Sequence, residues 1–279
     1  MSLQEAVQQE VIAKSVELDI PNNRVYVDYP FVKKPVEYLK KKHNGKADNK
    51  SQAISAYWQQ CNKPEKVKDG IRKAHAELVA KGFMVKMSEL NHTQKRLISD
   101  SEFRHYYPWS SVLKDSVSTP VRLVVDPSRT GLNTILAKGE NNLAKIHEVL
   151  IRNRCRRHIF TSDISKLYNC LYLKDNALPY SLFLFSDELE LHKQPITYVL
   201  LRAWYGVRST GNQSGEALDS LANYFQSSLP LAHDIMMEDR YVDDILSGSN
   251  NSDTVTEQIK QTQELLGKGG FNLKFIARS

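Results

Sequence analysis

No stretch of eighteen consecutive apolar residues occurs in this sequence, so nothing in it predicts a membrane-spanning helix. The first ten residues, "MSLQEAVQQE", lack the apolar core of a secretory signal. Cysteine is scarce: Cys61, Cys155 and Cys170 are odd in number and far apart, which excludes a disulfide framework and a zinc cluster. An intracellular, reducing setting, the cytoplasm, is therefore predicted. Internal repeats and low-complexity segments are also missing.

What remains is an ordinary globular composition. The 279 residues are 41% hydrophobic and 25% charged, enough for one large domain or two smaller ones. A net charge of +6 is compatible with a nucleic-acid partner without establishing one. The cations gather in "KKPVEYLKKKHNGK" (33–46), "KPEKVKDGIRKAH" (63–75) and "IRNRCRRH" (151–158). The first two read equally as solvated helix faces or as phosphate-binding surface. The third lies just ahead of an apolar strand and an aspartate.

Residues 1 to about 65 read as polar and irregular, with "VYVDYPF" (25–31) as a short strand. Ile71, Ala74, Leu78 and Val79 have helical spacing, and Gly82 follows as a stop. "VRLVV" (121–125) and "IFTSDI" (159–164) are strands by their β-branched and apolar content. Leu218, Leu221, Ala222, Phe225 and Leu229 mark one stripe of an amphipathic helix. A tight hairpin is predicted around Asp243 and Asp244. Beyond it, Thr254 and Glu257 predict a capping box, and Gly269-Gly270 the end of that helix. "FNLKF" (271–275) alternates as a half-buried strand.

From Ile159 onward the order strand, helix, hairpin, helix, strand predicts a split βαβ, ferredoxin-like arrangement. In such a sheet the strand ending at Asp163 can neighbour the hairpin that carries Asp243 and Asp244. A lone Asp-Asp pair in a hairpin is more often just a turn signal. Three converging carboxylates, by contrast, repel one another unless a cation sits between them. Mg²⁺ suits such oxygen ligands, and it fills its remaining positions with water and substrate phosphates. Two ions roughly 3.5–4 Å apart can clamp the attacking and leaving oxygens of a phosphoryl displacement.

With these residues in view, "YVDD" resembles the YxDD box of reverse transcriptases, and "FTSDISKLY" resembles their first catalytic motif. In order, "YPF", "TPVRLVVDPS", "LNTILAKGENNL", "DISKLYNCLYL", "YVDDILSGS" and "GGFNLKF" are similar to the polymerase region of Pao/BEL-type LTR retrotransposons, over residues 25 to 277. The resemblance implies an α+β fold with the fingers and palm of a right-hand polymerase, the palm a ferredoxin-like antiparallel sheet with helices on one face. It implies an RNA-directed DNA polymerase that uses two Mg²⁺ ions, with Mn²⁺ as a substitute. The partners it implies are an RNA or DNA template-primer and dNTPs, within a longer retroelement polyprotein and away from any membrane.

Residue by residue, the resemblance implies that Asp163, Asp243 and Asp244 are the catalytic, metal-binding triad, with Asp163 and Asp243 as main ligands. Tyr168 matches the aromatic that closes against the sugar 2′ position; without the motif it reads as a half-buried core aromatic. Val242 matches the residue beside the primer terminus. Arg122 matches the fingers arginine of the incoming triphosphate, a task suited to a planar, bidentate guanidinium. Lys114 matches a second basic residue at the fingers tip, and Asp126 an orienting residue. Lys274 matches the late palm lysine that protonates pyrophosphate, and reads equally as a solvent-side lysine.

The pattern is departed from at "WYGVRSTGNQSGEAL" (204–218), where Gly211 stands in place of a proline. Tyr205 and Gly206 keep the aromatic-glycine step, and Gly211, Asn212 and Gln213 are expected to floor the nucleotide site. The sequence ends at "FIARS", just past the last palm strand, so no thumb is expected. Residues 1–95 are expected to be an N-terminal extension and the start of the fingers, and 96–279 the fingers and palm core. Two other readings stand beside this one: a truncated or domesticated nucleic-acid-binding remnant, and a metal-dependent phosphohydrolase. The last leaves Arg122, Tyr168 and the motif order unexplained.

Overall fold

The computed structural model of the protein describes residues 3–113, 121–139 and 145–278. The chain is a mixed α+β protein with several small antiparallel sheets, and it divides into two compact units. One unit takes the chain up to Val27, Lys138–Tyr172 and Gly211 onward; the other takes Asp28–Ala137 and Leu173–Thr210. Each unit thus draws on both sides of residue 95.

In the first unit, in chain order, lie α1 (Leu3–Lys14), β1 (Val16–Asp19), β2 (Arg24–Val27), α2 (Ile146–Arg154), β3 (His158–Ile164) and β4 (Leu171–Leu173). They are followed by α3 (Thr210–Tyr224), α4 (Pro230–Glu238), β5 (Arg240–Tyr241), β6 (Asp244–Ser249), α5 (Ser252–Lys268) and β7 (Leu273–Arg278). A four-stranded sheet runs in the order β5-β6-β3-β7, every neighbour antiparallel. The interleaving of strands and helices is that of a split βαβ unit.

Alternation sets the two faces of this sheet. Phe160, Ser162 and Ile164 of β3 are buried, and so are Ile245 and Ser247 of β6, which pair with Ser162 and Phe160. Asp163 and Asp244, paired in register with each other, therefore share the opposite face. Gly248 is required where β6 meets β3: a Cβ there would lie 2.2 Å from the carbonyl oxygen of His158.

The start of the hairpin is tied to α2 by charge. Asp239 is 2% exposed, and it accepts from Arg156 Nη1 at 2.5 Å, Ser247 Oγ at 2.7 Å and Arg152 Nε at 3.4 Å. Two arginines of the 151–158 cluster are thus spent on a buried carboxylate, which would otherwise be expensive to bury. In the 63–75 cluster, Lys68 and Arg72 pair with Glu65 and Asp69 on their own helix, Glu65–Ala80.

The second unit packs that helix against the strands Met84–Lys86, Ile196–Leu200 and Leu182–Phe185, which form one antiparallel sheet. A separate hairpin pairs Trp109–Leu113 with Val121–Val125. His75 lies flat on Phe185, ring centroids 3.6 Å apart, and His105 is fully buried between Thr130 Oγ1 and the carbonyl of Tyr180.

Several local expectations need correction. Residues 1–65 are not irregular: they contain α1 and the helices Pro35–Lys42 and Lys50–Cys61. The inward face of Lys50–Cys61 is built from Ala53, Ala56, Tyr57, Gln60 and Cys61, too small and polar to register as a hydrophobic stripe. The cap of α5 is Asn251, whose side chain accepts from the N–H groups of Asp253 and Thr254, so the helix begins ahead of the predicted capping box. The predicted 218–229 stripe is divided: α3 ends at Tyr224, and a second helix, α4, opens at Pro230.

Burial holds His75 down to about 4 and His105 down to about 3, so both are neutral in the folded chain. In the unfolded chain they titrate near 6.5 and bind more protons at any pH between these values. Their contribution is fully present above about 6.5 and is lost as pH falls through that value toward 4 and 3. Urea unfolding at pH 7 and pH 5 should show a loss of about 2 kcal/mol or more; a flat profile across that range would contradict the assignment.

Candidate active site

Asp163 closes β3, and Asp243 and Asp244 stand at the hairpin between β5 and β6. One carboxylate oxygen from each lies within 4.8 Å of the others. Among the described residues, no other group of three or more His, Cys, Asp or Glu side chains comes together in this way. The backbone enforces the approach. Asp163 and Asp244 are register partners, and the N–H of Ile164 donates to the carbonyl of Asp243 at 2.7 Å. Asp163 and Asp243 are half-buried, while Asp244 is exposed. The Asp244 carboxyl is raised above its ordinary range by burial first, then by the charges of Asp243 and Asp163.

The hairpin turn carries strain. Tyr241 pairs with Asp244, so Val242 and Asp243 form a two-residue loop. Such loops need a positive φ at the first central position to match the sheet twist, and glycine normally supplies it. Here Val242 sits at φ 58°, an unfavourable region for a β-branched side chain. Arg240 braces this turn. Its guanidinium pairs with Asp219 of α3 at 2.6 Å and donates to the carbonyls of Met236 at 3.3 Å and Val242 at 3.5 Å. Burial raises the Asp219 carboxyl, and Arg240 opposes that rise. Asp219, Arg240 and Val242 line a cavity of about 270 Å³ together with Asn212 and Glu216. Nothing in our reading of the sequence singled out Arg240 or Asp219; an arginine one residue before the "YVDD" box was the available signal.

Tyr168 lies in a 3₁₀ turn, Leu167–Cys170, and is half-buried. Its hydroxyl is raised above its ordinary value by burial and, secondarily, by the charge of Asp243, which places it within electrostatic reach of the carboxylates. A Cβ added at Gly211 would stand 3.8 Å from the Tyr168 hydroxyl, an ordinary contact, so the two residues are close neighbours. Lys274 falls in an irregularity of β7. Leu273 pairs with Ile164 and Ile276 with Ser162, so two residues, Lys274 and Phe275, stand against Asp163. Lys274 is exposed.

Other expected residues lie elsewhere. Gln213 does not floor a cleft: it is 2% exposed, turned inward by the pitch of α3, and donates to Ser15 Oγ at 2.8 Å. Of the three residues expected at the floor, Gly211 and Asn212 line the cavity. Arg122 belongs to the second unit, on the exposed side of the Trp109–Leu113/Val121–Val125 hairpin, where it pairs with Val112. Asp126 caps the short helix Pro127–Thr130 by accepting from the N–H of Arg129. Lys114 lies outside the described residues.

No protein-family model and no curated protein matches the chain. Among solved structures, it is similar to the foamy viral protease-reverse transcriptase in complex with double-stranded DNA, with a TM-score of 0.50 and 15% sequence identity. The likeness covers 71% of this chain and 28% of that one. The class it defines is a reverse-transcriptase-like α+β fold. No helix among the described residues is long and apolar enough to cross a membrane.

Relieving the turn is a test of its strain. A non-glycine residue in the left-handed region costs about 1–2 kcal/mol, offset in part by the greater backbone entropy of glycine. Val242→Gly should therefore raise unfolding free energy by up to about 1 kcal/mol in urea titration. A clear loss of stability would show that the turn is not strained.

Proposed function

We propose that this chain is the fingers and palm of an RNA-directed DNA polymerase from a Pao/BEL-type retroelement, which extends a primer 3′-hydroxyl with dNTPs on an RNA or DNA template. The observation that carries this reading is the convergence of Asp163, Asp243 and Asp244 at one end of an antiparallel sheet. The ordered motifs from "YPF" to "GGFNLKF" support it, and so does the reverse-transcriptase-like fold.

We assign the first unit's four-stranded sheet to a ferredoxin-like palm and the second unit to the fingers, with residues 1–95 as the extension and the start of the fingers. The donor set fits a hard divalent cation: three carboxylates and neither sulfur nor imidazole. Asp163 and Asp243 are the main ligands and Asp244 completes the triad. Two Mg²⁺ ions, or Mn²⁺, held by these carboxylates would supply Lewis acidity and offset the negative charge of the phosphates.

The chain's own groups do the remaining work. Val242, at the tip of the hairpin, sets the primer end against Asp243. Tyr168, with Gly211 close to its hydroxyl, closes the space a ribose 2′-hydroxyl would need. Arg122 holds the triphosphate in a planar, bidentate grip. Lys274, opposite Asp163 in the β7 irregularity, is the proton donor to pyrophosphate.

Primer extension on a homopolymer template with Mg²⁺ or Mn²⁺ tests this reading. Wild type should incorporate dNTPs, and Asp243→Asn should reduce incorporation by at least about a hundredfold while still binding template-primer, the scale on which loss of a transition-state electrostatic contact is felt. No incorporation by wild type despite binding would leave a nucleic-acid-binding remnant as the better account, and equal incorporation by the two would overturn the catalytic assignment of Asp243.

A further inference from the structure

The loop that carries the aromatic-glycine step, residues 204–209, has no regular secondary structure of its own, so its shape must be imposed from outside. Tyr205 and Arg208 on it are exposed. Gly206 takes φ 97°, and a Cβ there would lie 2.4 Å from the carbonyl oxygen of Val125. Only glycine lets the loop close on the end of the strand that bears Arg122.

Asn133 fixes both sides of that contact. Its Nδ2 donates to the carbonyl of Gly206 at 2.9 Å and to Ser128 Oγ at 2.8 Å. Its Oδ1 accepts from the backbone N–H of Arg208 at 2.9 Å, and its own carbonyl accepts from the Arg208 guanidinium at 3.5 Å. A primary amide is required, because only asparagine's short side chain offers two donors and an acceptor at this reach. Ser128 belongs to the short helix capped by Asp126, which directly follows the Arg122 strand. One half-buried side chain therefore ties the strand end, the capped turn and the exposed loop into a single piece.

We propose that Asn133 is a positioning residue for the incoming nucleotide: it holds Tyr205–Arg208 in place beside the Arg122 strand, so that the loop meets a nucleoside triphosphate already ordered. This rests on the polymerase reading above. Asn133 itself need not touch the nucleotide. Its effect is to remove the ordering cost that a loose loop would add to binding.

The experiment compares wild type, Asn133→Ala and Asn133→Asp in three measurements: amide hydrogen exchange at Arg208, equilibrium binding of a dNTP with Mn²⁺, and steady-state primer extension. Asn133→Asp keeps the acceptor for the Arg208 N–H and loses the donor to Gly206. Exchange at Arg208 should quicken about tenfold or more in Asn133→Ala and less in Asn133→Asp, as expected for the loss of roughly one hydrogen bond's worth of protection. Nucleotide affinity should fall, and KM for dNTP rise, about tenfold in Asn133→Ala, with kcat within about threefold of wild type.

Unchanged Arg208 exchange would overturn the clamp. Faster exchange with unchanged dNTP affinity would make Asn133 structural only, and would overturn the proposal as well. A wild type that binds dNTP in an Asn133-dependent way but extends no primer would sink the polymerase reading and leave the positioning role standing.

Discussion

Mutual repulsion among three carboxylates is the constraint around which the first unit is arranged. Oxygens of Asp163, Asp243 and Asp244 within 4.8 Å of one another are unfavourable unless a positive charge shares the space. The fold holds them together all the same. The β3–β6 register sets Asp163 against Asp244, and the bond from Ile164 N–H to the Asp243 carbonyl closes the hairpin tip onto β3. The raised Asp244 carboxyl owes most to burial, and the charges of Asp243 and Asp163 add to it.

Much of the surrounding structure supports this tension. The strained φ of Val242 persists because both sides of the turn are anchored. On one side Arg240 joins the turn to Asp219 of α3. On the other, Asp239, just ahead of β5, is locked by Arg152 of α2 and by Arg156 just beyond that helix, and it is tied to β6 by Ser247. Position and charge are coupled here: the arginines that neutralise Asp239 also fix where the hairpin starts.

The parts legible in the sequence were those carried by the order of elements and motifs. The succession strand, helix, hairpin, helix, strand from Ile159 onward was enough to bring Asp163 beside Asp243 and Asp244, because in a split βαβ sheet those strands are neighbours. The illegible parts depend on long-range partners. The arginines of 151–158 stood out only by their place ahead of an apolar strand; their partner, Asp239, lies about eighty residues later and is buried. Gln213 looked like a ligand contact because helix phase, which turns it onto Ser15, is weakly marked in a run of Gly, Asn, Gln and Ser. The helix Lys50–Cys61 buries mostly small and polar side chains, so its inward face has little hydrophobic contrast. Assembly of each unit from separated stretches has no local signal at all.

The proposal that Asp163, Asp243 and Asp244 together hold divalent cations is open to a direct test. Mn²⁺ titration followed by electron paramagnetic resonance reads this directly, without primer, template or turnover. Wild type should bind Mn²⁺, and Asp163→Asn and Asp243→Asn should each weaken that binding by at least about tenfold, the change expected when a charged ligand is lost. Undiminished Mn²⁺ binding in both variants would contradict the account.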